Sequence, residues 1–234
     1  MASRCTHANT VATAAISPTV ENYLKHLYAE LHDIDGKLLP MGKLAQALGV
    51  TPGTATTMVK ALADSDLVKY EPRSGVRLTP GGERLALNVI RRHRLVELFL
   101  VQTLGLDWSE VHEEAEELEH AISGKVLDRI DELLGHPQFD PHGAPIPRAK
   151  GGFSPQSLQT LAECDLHKPL RIARVRAQGT QFLQTMQRLG LTPGVRVVVE
   201  ARDKFAESLT VRAGNRASVN LGLSAATKLL VKPA

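Results

Sequence analysis

Cysteine is scarce: the 234 residues hold only Cys5 and Cys164. With no CxxC pair, neither a disulfide framework nor a cysteine zinc site is implied, which fits a reducing cytoplasm. No apolar run approaches the length of a membrane span, and the opening MASRCTHANTVATAAISP is too short in apolar stretch and too polar for a signal-peptide core. Residues 1–16 therefore read as a flexible tail, and no membrane partner is expected. The HExxH zincin signature is absent and no separate general base is evident, which disfavours a metal-dependent hydrolase. Neither charge sign is in large excess, since 28 Lys and Arg stand against 25 Asp and Glu for a net +3. Such a mildly basic chain permits a nucleic-acid partner without requiring one. The signs are unevenly spread: basic residues lead around 60–94 and 168–204, and acid dominates from Glu110 to Glu119. With 43% hydrophobic and 23% charged residues, the chain is long enough for one large domain or two to three small ones.

What the chain does hold is a set of histidines in register with glutamates, between Arg91 and Gly124. His93 and Glu97 are four apart; His112, Glu116, Glu119 and His120 follow at steps of four, three and one. On a single α-helix that spacing gathers the second group onto one face. Imidazole with carboxylate is a transition-metal ligand set. A run such as EEAEELE also reads as a solvated helix surface. The second His/Glu pair, one helix earlier, favours the metal reading.

The N-terminal third follows the grammar of a winged helix-turn-helix. SPTVENYLKHLYAELHD spaces apolar residues at helical intervals. After the IDGK turn, MGKLAQALGV is a short second helix, and TPGTATTMVKALADSDLV a third with Thr51 as cap and Pro52 in its first turn. Two β-prone runs around EPRSG then suggest a hairpin wing. The third helix would present Thr51, Gly53, Thr54, Thr56, Thr57 and Lys60 to double-stranded DNA, because small hydroxyl and methyl groups can approach base edges in the major groove. Lys69, Arg73 and Arg77 of the wing would meet phosphates, which position without specifying.

From Val111 helical spacing continues to Gly135, with more apolar face than a small winged helix can bury, so a homodimer is expected. HPQFDPHGAPIPRAKGGFSP breaks all periodicity, and its His136 and His142 read as ordinary surface histidines. After Lys168 short alternating runs of Val, Ile and Leu indicate a small β-barrel. The expected fold is mainly α with small β. A winged-helix domain spans 17–84, a helical metal-binding and dimerisation domain 85–150, a linker 151–167 and an SH3-like barrel 168–234.

The segments VENYLKHLY, TPGTATTMVKALADSDLV, RRHRLVELFL, EVHEEAEELEHAIS, PHGAPIP and FLQTMQRLGLTPGVRV resemble the diphtheria toxin repressor family of metal-dependent transcriptional repressors, over nearly all of residues 17–234. The resemblance implies a dimeric repressor of metal-uptake genes, activated by Fe(II) or Mn(II) at a palindromic operator. It implies one site of His93, Glu97 and His112, with Gln178 and Gln181 from the SH3-like domain. A second site would hold Glu116, Glu119 and His120, with Asn22 from the first helix. Glu116 stands where the iron-responsive branch has cysteine, which makes the site harder and suits Mn(II). Asn22 is a weaker donor than the usual Met or Asp, and Lys25 replaces the second acid of the short manganese regulators. Zn, Co, Ni or Cd could substitute in vitro. The alternatives are a winged-helix regulator sensing an organic ligand and, further off, the hydrolase.

Overall fold

The computed structural model describes residues 17–32, 38–149, 152–153, 156–177 and 179–234. The tail read at 1–16, the IDGK turn and Gln178 lie outside the described residues. Two compact units meet in the sequence between Ala86 and Leu87.

The first unit begins with α1 (Pro18–His32), α2 (Met41–Ala47) and α3 (Pro52–Asp64). The Thr51 side chain accepts the Thr54 amide at 3.2 Å, and Pro52 fills the first turn, where a missing N–H costs nothing. The wing follows as β1 (Val68–Glu71) and β2 (Gly75–Leu78), antiparallel with Lys69 opposite Arg77. Leu24, Leu27, Leu39, Leu44, Val59 and Val76 close the core beneath these elements, together with Ala86 of α4 (Pro80–Gln102). Burying each of these Leu and Val side chains contributes about 1.5–3 kcal/mol.

In the second unit α4 continues, followed by α5 (Val111–Glu119) and α6 (Gly124–Leu133). The apolar spacing reads as one long helix here, but the chain turns at His120–Ser123 and Ser123 caps α6 by accepting the Val126 amide at 3.4 Å. Two small cores form, Leu95 and Leu98 against Ile130 and Ile146, and Val96 and Leu100 against Val111 and Ala115. Leu118, Val126 and Leu133 stay exposed on α5 and α6.

The C-terminal part is an antiparallel six-stranded sheet in the order β3-β8-β4-β5-β6-β7. Its strands are β3 (Gln159–Thr160), β4 (Leu170–Val175), β5 (Arg196–Asp203), β6 (Ser208–Ala213), β7 (Val219–Gly222) and β8 (Leu229–Pro233). The helices α7 (Thr180–Leu189) and α8 (Leu223–Ala226) are inserted between strands. Segment 151–167 is more than a linker: it supplies β3, and Leu161 and Cys164 are buried in the sheet's core with Ile172, Leu183 and Val199. No helix among the described residues is long and apolar enough to cross a membrane.

Candidate metal centre and nucleic-acid interface

α4 presents His93 and Glu97 on one face because they are four residues apart, and α5 brings His112 and Glu116 alongside in the same spacing. His93 Nε2 lies 3.0 Å from Glu97 Oε1 and 3.1 Å from His112 Nδ1, which is itself 3.3 Å from the same Glu97 oxygen. Two donors that each sit ~2.1 Å from a shared ion at 90–109° are separated by about 3.0–3.4 Å. The spacing of the three atoms therefore matches that of donors around a common cation. The other ring nitrogen of His93 faces the last turn of α5, 2.7 Å from Glu119 Oε2 and 3.7 Å from Glu116 Oε1. His120, at the C-cap of α5, reaches Glu119 Oε1 with Nε2 at 3.3 Å. His93 is thus common to both sets of residues that the resemblance divides into two sites.

Glu119 is fully buried, at 0% exposure, and His93 and Glu97 are buried with it. Burying carboxylates without partners is costly, and the imidazoles around them supply hydrogen-bond partners. Burial by itself would raise the Glu97 carboxyl, but hydrogen bonds with His112, His142 and His93 outweigh it and hold the group well below the ordinary carboxylate range.

His142 overturns the expectation of a surface histidine. It is 3% exposed, with Nδ1 3.6 Å from Glu97 Oε2 and Nε2 2.9 Å from the Trp108 carbonyl oxygen. Asp140 turns the loop beneath it, accepting the amides of His142 at 2.8 Å and Ala144 at 2.9 Å on one oxygen. Its other oxygen lies 3.7 Å from Arg94. Glu97, Asp140 and His142 thus form a second, wholly buried trio able to hold a cation, beside His93, His112 and Glu116. Burial and the Glu97 charge raise the Asp140 carboxyl despite Arg94 and His142. Burial would lower the His142 imidazole, but its hydrogen bond with Glu97 and the charges of Glu97 and Asp140 raise it. The carboxylate-histidine alternation of DPH was a usable signal for this trio; absence of helical periodicity hid it. His136, by contrast, is exposed and pairs with Asp131 at 2.8 Å.

The structure does not bring Gln181 to the cluster. It is exposed at the start of α7, where its carbonyl accepts the Thr185 hydroxyl at 2.8 Å. What α7 offers to the α4–α5 connection is Gln187, which accepts the Trp108 indole N–H at 2.7 Å and donates to Asp107 at 3.3 Å. Asn22 lies on α1 in the first unit.

Of the residues expected to face DNA, Thr51, Gly53, Thr54, Thr57 and Lys60 are exposed, Thr56 is half-buried, and Ala55, Val59 and Leu62 turn inward. The Thr56 and Thr57 hydroxyls donate to the Pro52 and Gly53 carbonyls at 2.7 and 3.1 Å. Their oxygens remain acceptors. Lys69, Arg73 and Arg77 are exposed on the wing, and Arg73 holds the turn at φ 68°.

Sequence models of three domains cover most of the chain. The N-terminal DNA binding domain of the iron dependent repressor matches residues 15–76, its metal binding and dimerisation domain 79–148, and the FeoA domain 159–233. The iron-dependent repressor IdeR of Mycobacterium tuberculosis is 32% identical over 196 residues, covering 78% of this chain and 84% of that one. A solved manganese-dependent transcriptional repressor in complex with manganese superposes with a TM-score of 0.84 at 37% identity, covering 92% of this chain and all of that one. The structure of ScaR with bound zinc superposes with a TM-score of 0.77 at 32% identity, over 92% and 99% of the two chains. With its DNA binding, metal binding and dimerisation, and FeoA domains each matched, the chain belongs to the diphtheria toxin repressor family of metal-dependent transcriptional repressors.

Proposed function

We propose that this protein is a cytoplasmic, homodimeric repressor activated by Mn(II) or Fe(II), which binds a palindromic operator in double-stranded DNA and controls genes of metal homeostasis. The observation that carries this reading is the convergence of His93, Glu97, His112, Glu116 and Glu119 inside the second unit. The ligands proposed are these five with His120, and the trio Glu97, Asp140 and His142. A bound divalent cation supplies the positive charge that so many carboxylates call for. The donors are borderline imidazole nitrogen and hard carboxylate oxygen without sulfur, a set harder than one with thiolate and suited to Mn(II) or Fe(II), although Irving–Williams ordering lets Zn(II), Co(II) or Ni(II) bind more tightly in vitro.

The residues do three things. Glu97 joins α4, α5 and the 140–144 loop through His93, His112 and His142. Glu119 locks the end of α5 onto α4 through His93. Thr51 to Lys60 then read base edges, while Lys69, Arg73 and Arg77 meet phosphates. In a dimer the two α3 helices must match half-sites about one helical turn, ~34 Å, apart. By linkage, ion and operator raise each other's affinity by one factor, typically about 5- to 150-fold.

The test is fluorescence anisotropy of a labelled operator duplex, titrated with protein at fixed Mn(II), at fixed Fe(II) under anaerobic conditions, and with chelator. DNA affinity that rises with either ion supports the reading. Affinity indifferent to both ions, with no heat of Mn(II) binding by calorimetry, rules it out in favour of a regulator of another class.

A further inference from the structure

The chain's positive charge is concentrated in its C-terminal domain. Residues 159–233 carry twelve Lys and Arg against five Asp and Glu, whereas the remainder carries sixteen against twenty. Three of the twelve fall into a row. Arg171 on β4 is directly opposite Arg196 on β5 and directly opposite Lys232 on β8. Their strand neighbours Leu170, Ile172, Val197 and Val231 are buried in the sheet's core, so by the alternation of a strand the three cations project from the other face. Arg196 and Lys232 are exposed. Arg171 is half-buried, and its guanidinium donates to the Gly194 carbonyl at 2.7 Å.

Like charges directly opposite one another destabilise a sheet, so folding alone disfavours this row. Four of the domain's five acids are engaged elsewhere. Glu200 is held by Arg212 and Ser218, both at 2.6 Å, and Asp165 by Lys168 at 2.8 Å. Asp203 accepts the Phe205 and Ala206 amides, and Glu163 accepts the Thr160 hydroxyl. Among the described residues no carboxylate forms an ion pair with Arg171, Arg196 or Lys232.

We infer that this row is a contact for the phosphate backbone of duplex DNA, adding sequence-independent affinity to the reading done by α3. The inference rests on the DNA-binding function proposed above. The charges match in density: two inter-strand steps span about 10 Å, a length of duplex axis over which one DNA strand presents about three charges. Guanidinium groups suit phosphate oxygens through paired N–H donors. Contacts of this kind hold a protein on the duplex and carry no sequence information.

The experiment uses the full chain with Mn(II) and the double variant Arg196→Gln/Lys232→Gln, which leaves Arg171 and its Gly194 bond in place. Affinity for the operator duplex and for a scrambled duplex is measured across salt concentration. Removing two phosphate contacts should flatten the slope of log affinity against log salt by about 1.8, with an equal fold loss on both duplexes. Mn(II) affinity without DNA should not change, and the thermal midpoint should hold or rise as repulsion is relieved. Arg196→Lys/Lys232→Arg should retain the wild-type slope. A wild-type slope in the Gln variant overturns the inference while leaving the proposed function standing. Absence of any DNA binding by the wild-type protein overturns both.

Discussion

Glu97 is the residue on which the candidate site turns. One of its oxygens faces His93 and His112, the other His142, so neutralising it removes the charge that all three imidazoles face. Glu97→Gln should weaken Mn(II) binding by at least about tenfold, read by calorimetry, with the circular dichroism of the helices unchanged; affinity within twofold of wild type would show that the ion sits elsewhere. Gly143 has a different task. Its φ of 81° suits glycine, and a Cβ there would overlap the Ala173 carbonyl oxygen on β4. Gly143→Ala should therefore cost about 2–4 kcal/mol of unfolding free energy, combining left-handed strain and overpacking. Urea denaturation measures it, and an unchanged midpoint would mean the loop is free to move away. Sequence spacing was enough to pair His93 with Glu97 and His112 with Glu116, because four-residue steps on a helix bring side chains together whatever surrounds them, whereas the grouping of His112 with His93 and Glu97 came from the family resemblance. Spacing missed Asp140 and His142, whose burial comes from packing against Trp108 and β4 rather than from any local period.

At the scale of elements, capping and turn chemistry made α3 legible: Thr51 and Pro52 mark its start in the sequence and occupy the capping positions in the fold. The break between α5 and α6 was less so, since the apolar spacing runs across it. Ser123 reseeds the chain as α6, and Ser123→Ala should cost about 1 kcal/mol, the usual value of an N-cap side chain, seen as a lower urea midpoint. The sheet domain is tied to the helices by Trp108, whose indole bonds Gln187 on α7 and whose carbonyl accepts His142. Gln187→Leu should cost about 1 kcal/mol. Because Trp108 is the chain's single tryptophan, its emission spectrum reports on this joint without ambiguity. An unaltered spectrum would mean that the indole is held by other contacts.

For the molecule as a whole, Leu118, Val126 and Leu133 present an apolar surface on the domain that matches the family's dimerisation model. Leu133, at 65% exposure, gains little from packing within its own chain. Leu133→Glu should shift sedimentation from dimer toward monomer and lower affinity for a two-half-site duplex while sparing a single half-site; a stable dimer in the variant would place the interface elsewhere. Sequence by itself determined the order of the parts: a winged helix, a His/Glu-bearing helical segment and a basic β-rich end. Those follow from local periodicity, caps and composition, which need no partner in space. Only the tertiary structure decided which candidate ligands meet. It joined the two expected sets of candidate ligands through His93, drew in Asp140 and His142, and left Gln181 outside. The convergence of these side chains depends on contacts between residues far apart in the chain, and those are set by how α4, α5 and the 140–144 loop pack.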